Sequence, residues 1–211
     1  MTTIYLIRHS ERISHDFIES INSTDSSLVQ NEKDILSVNG EKKAKKLAKL
    51  EELQDVDKVY ISKCVRTFET AKYLLERLNL KANIDERLDE RRVGKPNEDV
   101  YPDWFIRQYT ELDFKTDGGE SRRDVLKRMN EVIDEIITNN KDKKVAIFSH
   151  GYAICFYLLQ FASLDYIDQT KNVKMTYKGN ILLDGALDAP EVFRLDFNNK
   201  ELISIKNICF K

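Results

Sequence analysis

Two of the three histidines in this 211-residue sequence stand directly after short apolar runs. Arg8 and His9 follow one run near the N-terminus, and Ser149, His150 and Gly151 follow another in the last third of the chain. An unprotonated imidazole nitrogen can act as a nucleophile, and planar guanidinium groups form paired hydrogen bonds to phosphate oxygens. Brought together, these side chains would suit a tetrahedral dianion such as a phosphoryl group.

The elements that must position these residues are visible in the periodicity of the sequence. Short β-branched runs predict buried strands at residues 3–7, 58–61 and 145–148. Amphipathic periodicity predicts helices at residues 40–53, 65–78 and 122–137, and residues 152–161 are apolar nearly all round, which predicts a buried helix. Alternation of strands and helices favours an α/β fold, here a three-layer α/β/α sandwich with a mostly parallel central sheet.

The remaining segments complete this architecture. Residues 192–197 and 202–208 alternate apolar and polar side chains, which predicts an antiparallel hairpin at a sheet edge. Residues 14–38 and 95–119 exceed the usual length of a connection and predict loops or short helices that line a site. Since no linker or repeat interrupts the chain, we expect a single domain over residues 1–211.

Ligands of an open parallel sheet bind beyond the carboxyl ends of its strands. His9 and His150 stand at two such ends, and the predicted strand at residues 58–61 leads toward Arg66. We therefore expect two imidazoles and two guanidinium groups to surround one point. Gly151 would open a helix there, and its N-terminal dipole would add positive potential at the same place.

The charge balance excludes several classes of partner. Thirty-four Lys and Arg against 36 Asp and Glu give a net charge of −2, so no global field recruits nucleic acid or an anionic membrane. No segment approaches the ~20 apolar residues of a membrane span, and no secretion signal is recognisable. We expect a cytoplasmic protein that acts on a small phosphorylated metabolite. Its oligomeric state stays open, with a homodimer as one possibility.

The cysteines and histidines do not form a metal-binding pattern. Cys64, Cys155 and Cys209 are far apart and contain no C-x-x-C pair, which favours buried free thiols over a disulfide framework or a structural zinc site. Two histidines without a dense carboxylate cluster also make a poor divalent-metal site. We expect neither a metal nor a cofactor.

Several segments resemble the histidine phosphatase superfamily, also called phosphoglycerate mutase-like. Arg8 and His9 are similar to its N-terminal Arg-His-Gly signature, and His150 with Gly151 is similar to its second histidine motif. Further resemblances follow in the family's order at residues 36–44 (LSVNGEKKA), 62–71 (SKCVRTFETA), 88–94 (LDERRVG) and 118–121 (GGES) with Arg128. The resemblance spans most of the chain and implies the phosphoglycerate mutase-like fold.

The resemblance also implies a role for each matching residue. His9 would be the nucleophile that becomes phosphohistidine, while Arg8, Arg66 and His150 would hold the phosphoryl oxygens, with Gly151 beside them. This division is chemically consistent, because fixed cations neutralise the equatorial oxygens of an in-line transition state. The implied activity is metal-independent hydrolysis of a phosphomonoester.

A carboxyl group completes the implied mechanism. Glu90 would give its proton to the leaving alkoxide and then take one from the attacking water. Asp89, its neighbour in the sequence, is the nearest rival for this role.

The sequence departs from the family pattern near both motifs. Ser10 stands where the family usually has glycine, so it would either lend a hydroxyl to the phosphate or crowd it. His15 falls about where the family often has an asparagine donor and is either its substitute or a surface residue. Residues 95–98 (KPNE) replace the tryptophan-glutamate-glycine segment common in the family's phosphatases, which leaves the substrate undefined.

Two side-chain groups near these departures have open roles. An aromatic cluster would either cap the pocket or belong to the core, and it comprises Tyr101, Trp104, Phe105 and Tyr109. Two arginine pairs would either extend the anion site or lie on a solvated surface, and they are Arg91-Arg92 and Arg122-Arg123.

Three alternatives to a metal-independent phosphatase stay open at this stage. A cofactor-dependent phosphoglycerate mutase would use the same pocket, although we do not expect this chain to have the insertion and closing tail of such mutases. A non-catalytic or signalling module would bind phosphorylated ligands or phosphohistidine proteins without turnover. A metallophosphatase would be inhibited by a chelator.

Overall fold

The computed structural model describes residues 1–13, 31–95 and 99–208. Its strands are Thr2–Arg8 (β1), Lys58–Ile61 (β2), Ala82–Ile84 (β3), Lys144–Ser149 (β4), Ser163–Ile167 (β5), Val173–Tyr177 (β6), Asn180–Gly185 (β7), Val192–Asn198 (β8) and Glu201–Ile208 (β9). The α-helices in these ranges are Val38–Leu47 (α1), Val65–Leu78 (α2), Trp104–Thr110 (α3), Arg122–Asn139 (α4) and Gly151–Leu158 (α5). None of them is long and apolar enough to cross a membrane.

The central sheet has six strands in the order β3-β2-β4-β1-β8-β9. The first four run parallel, and β8 and β9 add an antiparallel edge, as the hairpin pattern predicted. Arg8 at the end of β1 pairs with Ser149 at the end of β4. The residues that follow these two, His9 and His150, therefore leave the sheet side by side.

Helices cover both faces of this sheet. On β1, Ile4 and Leu6 pack into the core cluster that contains α4 and α5, whereas Tyr5 and Ile7 pack into the cluster that contains α1 and α2. All four side chains are at most 1% exposed. Because helices cover both faces of this parallel strand, the residues on both of its faces are apolar. The predicted α/β/α sandwich is confirmed.

Strand β3 was not predicted from the sequence, and two further differences concern a helix end and a second sheet. The helix predicted at residues 40–53 ends at Leu47, and the chain turns at Leu50 before a 3-10 turn at Glu51–Leu53. Leu53 is fully buried although it lies beyond the end of the helix. The helical spacing of apolar residues therefore continues past Leu47 and gives no sign that the helix ends there. The second difference is a separate three-stranded antiparallel sheet of β5, β6 and β7, which the sequence analysis missed.

Gly40 allows α1 to approach the segment that carries the site. A methyl group at this position would lie 1.9 Å from the backbone carbonyl oxygen of Glu11. The Ser10 hydroxyl donates a 2.8 Å hydrogen bond to the Gly40 carbonyl, and Ser37 caps the helix through the Gly40 N–H. Helix α1 thus packs directly on the backbone that follows His9.

We predict that Gly40→Ala lowers the free energy of unfolding by about 1–3 kcal/mol, because the added methyl overpacks this contact. Val38→Ala is the control, since Val38 begins the same helix and is 77% exposed, and a surface change of this kind costs at most about 0.5 kcal/mol. Urea unfolding of both variants measures the difference. Equal stability of Gly40→Ala and the parent chain would contradict the packing described for α1.

Candidate active site

A cavity of 710 Å³ opens at the carboxyl ends of β1 and β4. Its wall includes most of the side chains that the sequence analysis singled out, namely Arg8, His9, Arg66, Glu90, Arg91 and Gly151. These residues come from four separate segments, and the parallel strands bring them to one edge. The predicted convergence of the two arginines and His9 is therefore observed.

The ring of His9 has a defined tautomer. Its Nδ1 atom lies 2.7 Å from the Ser10 carbonyl oxygen. Because a carbonyl can only accept a hydrogen bond, Nδ1 carries the proton and Nε2 keeps its lone pair. The His9 N–H donates to the Ser149 carbonyl at 3.0 Å, which fixes the backbone as well. Nε2 is thus the ring nitrogen that keeps a lone pair on a buried, oriented imidazole.

His150 lies behind Arg66 rather than on the cavity wall. Its ring is fully buried, with Nδ1 3.0 Å from Arg66 Nη2 and Nε2 2.8 Å from Ser62 Oγ. A guanidinium group can only donate, so Nδ1 accepts from Arg66 and Nε2 donates to Ser62. The ring centroids of His150 and His9 are 5.2 Å apart. Both ring nitrogens are thus occupied, so in this structure His150 acts on the site through Arg66.

Arg8 and Arg66 hold unused hydrogen-bond donors beside His9. The Nε of each is buried and has no partner among the described residues. Arg8 Nη1 donates to the carbonyls of Leu187 and Asp188, and Arg66 Nη1 donates to the Asn31 carbonyl. A buried charged donor without a partner costs free energy, which an anion in the cavity would recover.

The two imidazoles are neutral at neutral pH. Burial, followed by the charges of Arg66 and Arg8, lowers the pKa of His9 well below its usual 6.5. Burial and then Arg66 lower the pKa of His150 in the same direction. Neutral His9 keeps the Nε2 lone pair that nucleophilic attack requires.

Glu90 reaches the cavity, whereas Asp89 does not. Glu90 Oε1 accepts from the N–H groups of Arg91 at 2.9 Å and Ala153 at 3.1 Å. Among the described residues, Glu90 Oε2 accepts a longer hydrogen bond, of 3.4 Å, from the Tyr152 N–H. Asp89 instead accepts from the Lys63 N–H at 3.0 Å and lies 3.5 Å from its amino group. The geometry therefore favours Glu90, with Oε2 as the freer oxygen.

The other predicted contact residues have different outcomes. Ser10 is fully buried and lies off the cavity wall, because its hydroxyl turns to the Gly40 carbonyl. The expectation that it touches the phosphate is corrected, and its carbonyl orients His9 instead. Gly151 does line the cavity, and a methyl group there would lie 3.4 Å from Arg8 Nε. His15 lies outside the described residues.

The arginine pairs divide between the cavity and the protein surface. Arg91 is 2% exposed and lines the cavity, and both of its Nη atoms are without a partner among the described residues. Arg92 also lines the cavity, with its side chain 60% exposed. Arg122 donates to a backbone carbonyl of α3, and Arg123 pairs with an aspartate outside the cavity. Only the first pair can extend the anion site.

The aromatic and thiol side chains form walls and core. Phe105 and Tyr109 are buried in the core and also line the cavity, so both proposed roles apply to them. Cys64 and Cys155 are buried free thiols, as predicted. Cys209 lies outside the described residues.

Several cavity residues were missed by the sequence analysis, and three of them are polar or basic. Arg12 and Asn31 line the cavity on the side of the first long connection, and Lys171 lines it from the turn between β5 and β6. Arg12 stands three residues after His9, which is a signal of proximity that could have been used. Lys171 has a left-handed φ of 69°, and no sequence pattern indicates that its turn reaches the site.

The fold and the site together define an α/β protein with a cation-rich cavity beside a buried neutral imidazole, which is an arrangement suited to phosphoryl groups. In the described residues, no group of three or more His, Cys, Asp or Glu side chains could hold a metal ion. A family model of the histidine phosphatase superfamily (branch 1) matches residues 4–180. The chain belongs to this superfamily.

Solved structures share the fold at low sequence identity. Mycobacterial glucosyl-3-phosphoglycerate phosphatase in complex with VO3 is 18% identical, with 97% of this chain and 96% of that chain covered and a TM-score of 0.69. Bacillus stearothermophilus YhfR is 20% identical, with 96% of this chain and 95% of that chain covered and a TM-score of 0.68. Phosphoglycerate mutase from Bacillus anthracis str. Sterne is 17% identical, with 98% of this chain and 92% of that chain covered and a TM-score of 0.66. A search of curated proteins gave no match.

We predict that His9 and His150 titrate well below pH 6.5 in the folded protein, because burial and Arg66 disfavour their protonated forms. The unfolded chain binds these protons more readily, so stability is present above about pH 6.5 and declines as the pH falls below it. Histidine NMR titration of the folded protein measures the shift, and the same sample in urea is the reference. Titration of both rings at or above pH 6.5 in the folded protein would contradict the buried, cation-flanked site.

Proposed function

We propose that this protein is a metal-independent phosphomonoesterase that hydrolyses a small phosphorylated substrate through a phosphohistidine on His9. The observation that carries the proposal is the buried His9 ring beside two arginines, whose Nδ1 is fixed by the Ser10 carbonyl and whose Nε2 has no hydrogen bond to any of the described residues. The unused Nε donors of Arg8 and Arg66 support binding of a phosphoryl dianion at this place.

In the first step, His9 Nε2 attacks phosphorus and the bond to the bridging ester oxygen breaks. Arg8 and Arg66 neutralise the equatorial oxygens, while His150 holds Arg66 in position from behind. The Glu90 carboxyl group donates a proton to the departing alkoxide, with Oε2 as its freer atom. The products are a free alcohol and a phosphoryl group bound to His9.

In the second step, the phosphoryl group passes to water. Glu90, now a carboxylate, accepts a proton from the attacking water as the bond between Nε2 and phosphorus breaks. Inorganic phosphate leaves, and the proton taken from water replaces the one that Glu90 gave to the alkoxide, so His9 and Glu90 are both regenerated. Neutral His9 leaves without an unfavourable buried charge, in keeping with its lowered pKa.

The cavity wall supports a substrate of small size and high negative charge. Its cations are Arg8, Arg12, Arg66, Arg91, Arg92, Lys95 and Lys171, while the acids among the cavity residues are Glu90 and Asp117. The excess of cations contrasts with the net charge of −2 for the whole chain. A volume of 710 Å³ is that of a metabolite site.

Two other functions use the same groups. Phosphoglycerate mutase activity would pass the phosphoryl group to a second acceptor instead of water, and one structure with this fold is named as such a mutase. A binding module would take up phosphorylated ligands without turnover. The phosphatase is preferred to a binding module because a candidate nucleophile, the cations and a candidate proton donor are all present at one cavity, and the metabolite screen below separates it from a mutase.

We predict that the protein releases p-nitrophenol from p-nitrophenyl phosphate in the presence of EDTA. His9→Ala removes the nucleophile and lowers kcat by at least about 10³-fold, and Val38→Ala serves as a control outside the site. Protein incubated with ³²P-labelled substrate and quenched in alkaline SDS, which preserves the acid-labile N–P bond of phosphohistidine, should carry label in the parent chain and none in His9→Ala. Loss of turnover in EDTA would favour a metallophosphatase.

Substrate and reaction type are separated by a screen of phosphorylated metabolites. We expect inorganic phosphate to be released from at least one of them at a higher kcat/KM than from p-nitrophenyl phosphate. Isomerisation of 3-phosphoglycerate is assayed in parallel. Isomerisation faster than phosphate release would identify a mutase, and binding without turnover on the whole panel would identify a module.

A further inference from the structure

We propose that the ion pair between Glu120 and Arg128 positions Glu90 for proton transfer. The proposal rests on the proposed function, in which Glu90 is the proton donor. Neither residue of the pair lines the cavity, so they are positioning residues and make no contact with the reacting atoms.

Arg128 on α4 holds the segment that precedes Glu90. Its Nη1 donates to the Arg87 carbonyl at 2.7 Å and to the Asp89 carbonyl at 2.8 Å. Its Nε and Nη2 donate to the two carboxylate oxygens of Glu120 at 3.0 and 3.1 Å. One planar guanidinium group thus joins two backbone carbonyls and a carboxylate, and Asp89 is the residue directly before Glu90.

Glu120 holds the segment that follows Glu90. Its Oε2 accepts from the Arg92 N–H at 2.9 Å, and its own N–H donates to the Arg92 carbonyl at 2.8 Å. Its carbonyl accepts from the Arg91 Nε at 2.9 Å. The backbone is therefore fixed on both sides of Glu90, whose carboxylate the N-terminus of α5 holds through the Ala153 N–H.

Stability alone is a poor explanation for this pair. The side chains of Glu120 and Arg128 are only 10% and 16% exposed, and burying two charges offsets much of their attraction. What the pair provides is geometry, since a bidentate fork and two carbonyl bonds define one position for residues 87–92. Proton transfer depends on such precision, because a misplacement of about 1 Å can cost about 10²-fold in rate.

Proton donation also provides a readout that a purely structural role would not change. An acidic phenol leaves as its phenolate with little help, whereas a weakly acidic phenol needs a proton as the ester bond breaks. Loss of proton donation therefore slows esters of weakly acidic phenols more than p-nitrophenyl phosphate. General loss of folded protein slows all esters equally.

The experiment measures kcat/KM for substituted phenyl phosphates, from p-nitrophenyl to p-methoxyphenyl, with four variants of the full chain. Glu90→Gln removes the donor, and Arg128→Lys and Glu120→Gln weaken the pair while keeping similar volume. Arg87→Ala is the matched control, because its side chain binds Asp85 and Glu135 while its carbonyl remains for Arg128. Urea unfolding of each variant gives its folded fraction.

We expect Glu90→Gln to lose about 10²-fold on the p-methoxyphenyl ester and much less on the p-nitrophenyl ester. Arg128→Lys and Glu120→Gln should show the same dependence on the leaving group, with a loss of about tenfold on the poorer one. Arg87→Ala should leave the dependence unchanged. Where Arg128→Lys does not fold, Glu120→Gln decides the result.

A leaving-group dependence in Glu90→Gln that is absent from both pair variants would overturn the positioning role and leave the proposed function standing. A Glu90→Gln variant that slows all esters equally would show that Glu90 is not the proton donor, so the positioning role and the proton-donation step of the proposed function would both fail. The two failures are therefore distinguishable in one set of measurements.

Discussion

The parallel pairing of β1 with β4 is the constraint on which the site depends. Arg8 faces Ser149 in this register, so His9 and His150 leave the sheet together and their rings lie 5.2 Å apart. A shift of one residue would turn every side chain of β1 to the opposite face. Burial of apolar residues on both faces of β1 therefore fixes the site as well as the core, and the His9 N–H bond to Ser149 extends this pairing to the nucleophile.

The site combines two features that are unfavourable without a ligand. Cationic side chains stand buried with unused donors, and two imidazoles are kept neutral by burial and by those cations. Both features favour the same ligand, since an anion would satisfy the donors of Arg8 and Arg66 while the neutral His9 ring stays nucleophilic. The sandwich of buried strands and helices supplies the rigidity that keeps this arrangement open.

The sequence predicted what local periodicity encodes. The four-residue run at Lys58–Ile61 and the helix at Val65–Leu78 were found with their observed bounds, because apolar spacing directly reflects burial. The orientation of side chains was less accessible. Ser10 turns from the cavity to a helix 30 residues away in sequence, and His150 lies behind Arg66, since long-range hydrogen bonds decide both. Lys171 lines the cavity from a turn of the small three-stranded sheet. The sequence did not predict this sheet, because its strands are short and partly exposed and so lack a clear apolar pattern.

The central claim is that His9 Nε2 is the atom that receives the phosphoryl group. The most direct measurement is a crystal structure of the protein with orthovanadate, which takes the trigonal bipyramidal geometry of phosphoryl transfer. The account predicts a bond between vanadium and His9 Nε2, with Arg8 and Arg66 on the equatorial oxygens and the Nδ1 bond to Ser10 intact. Vanadate bound to Nδ1, or bound elsewhere with His9 unchanged, would contradict it.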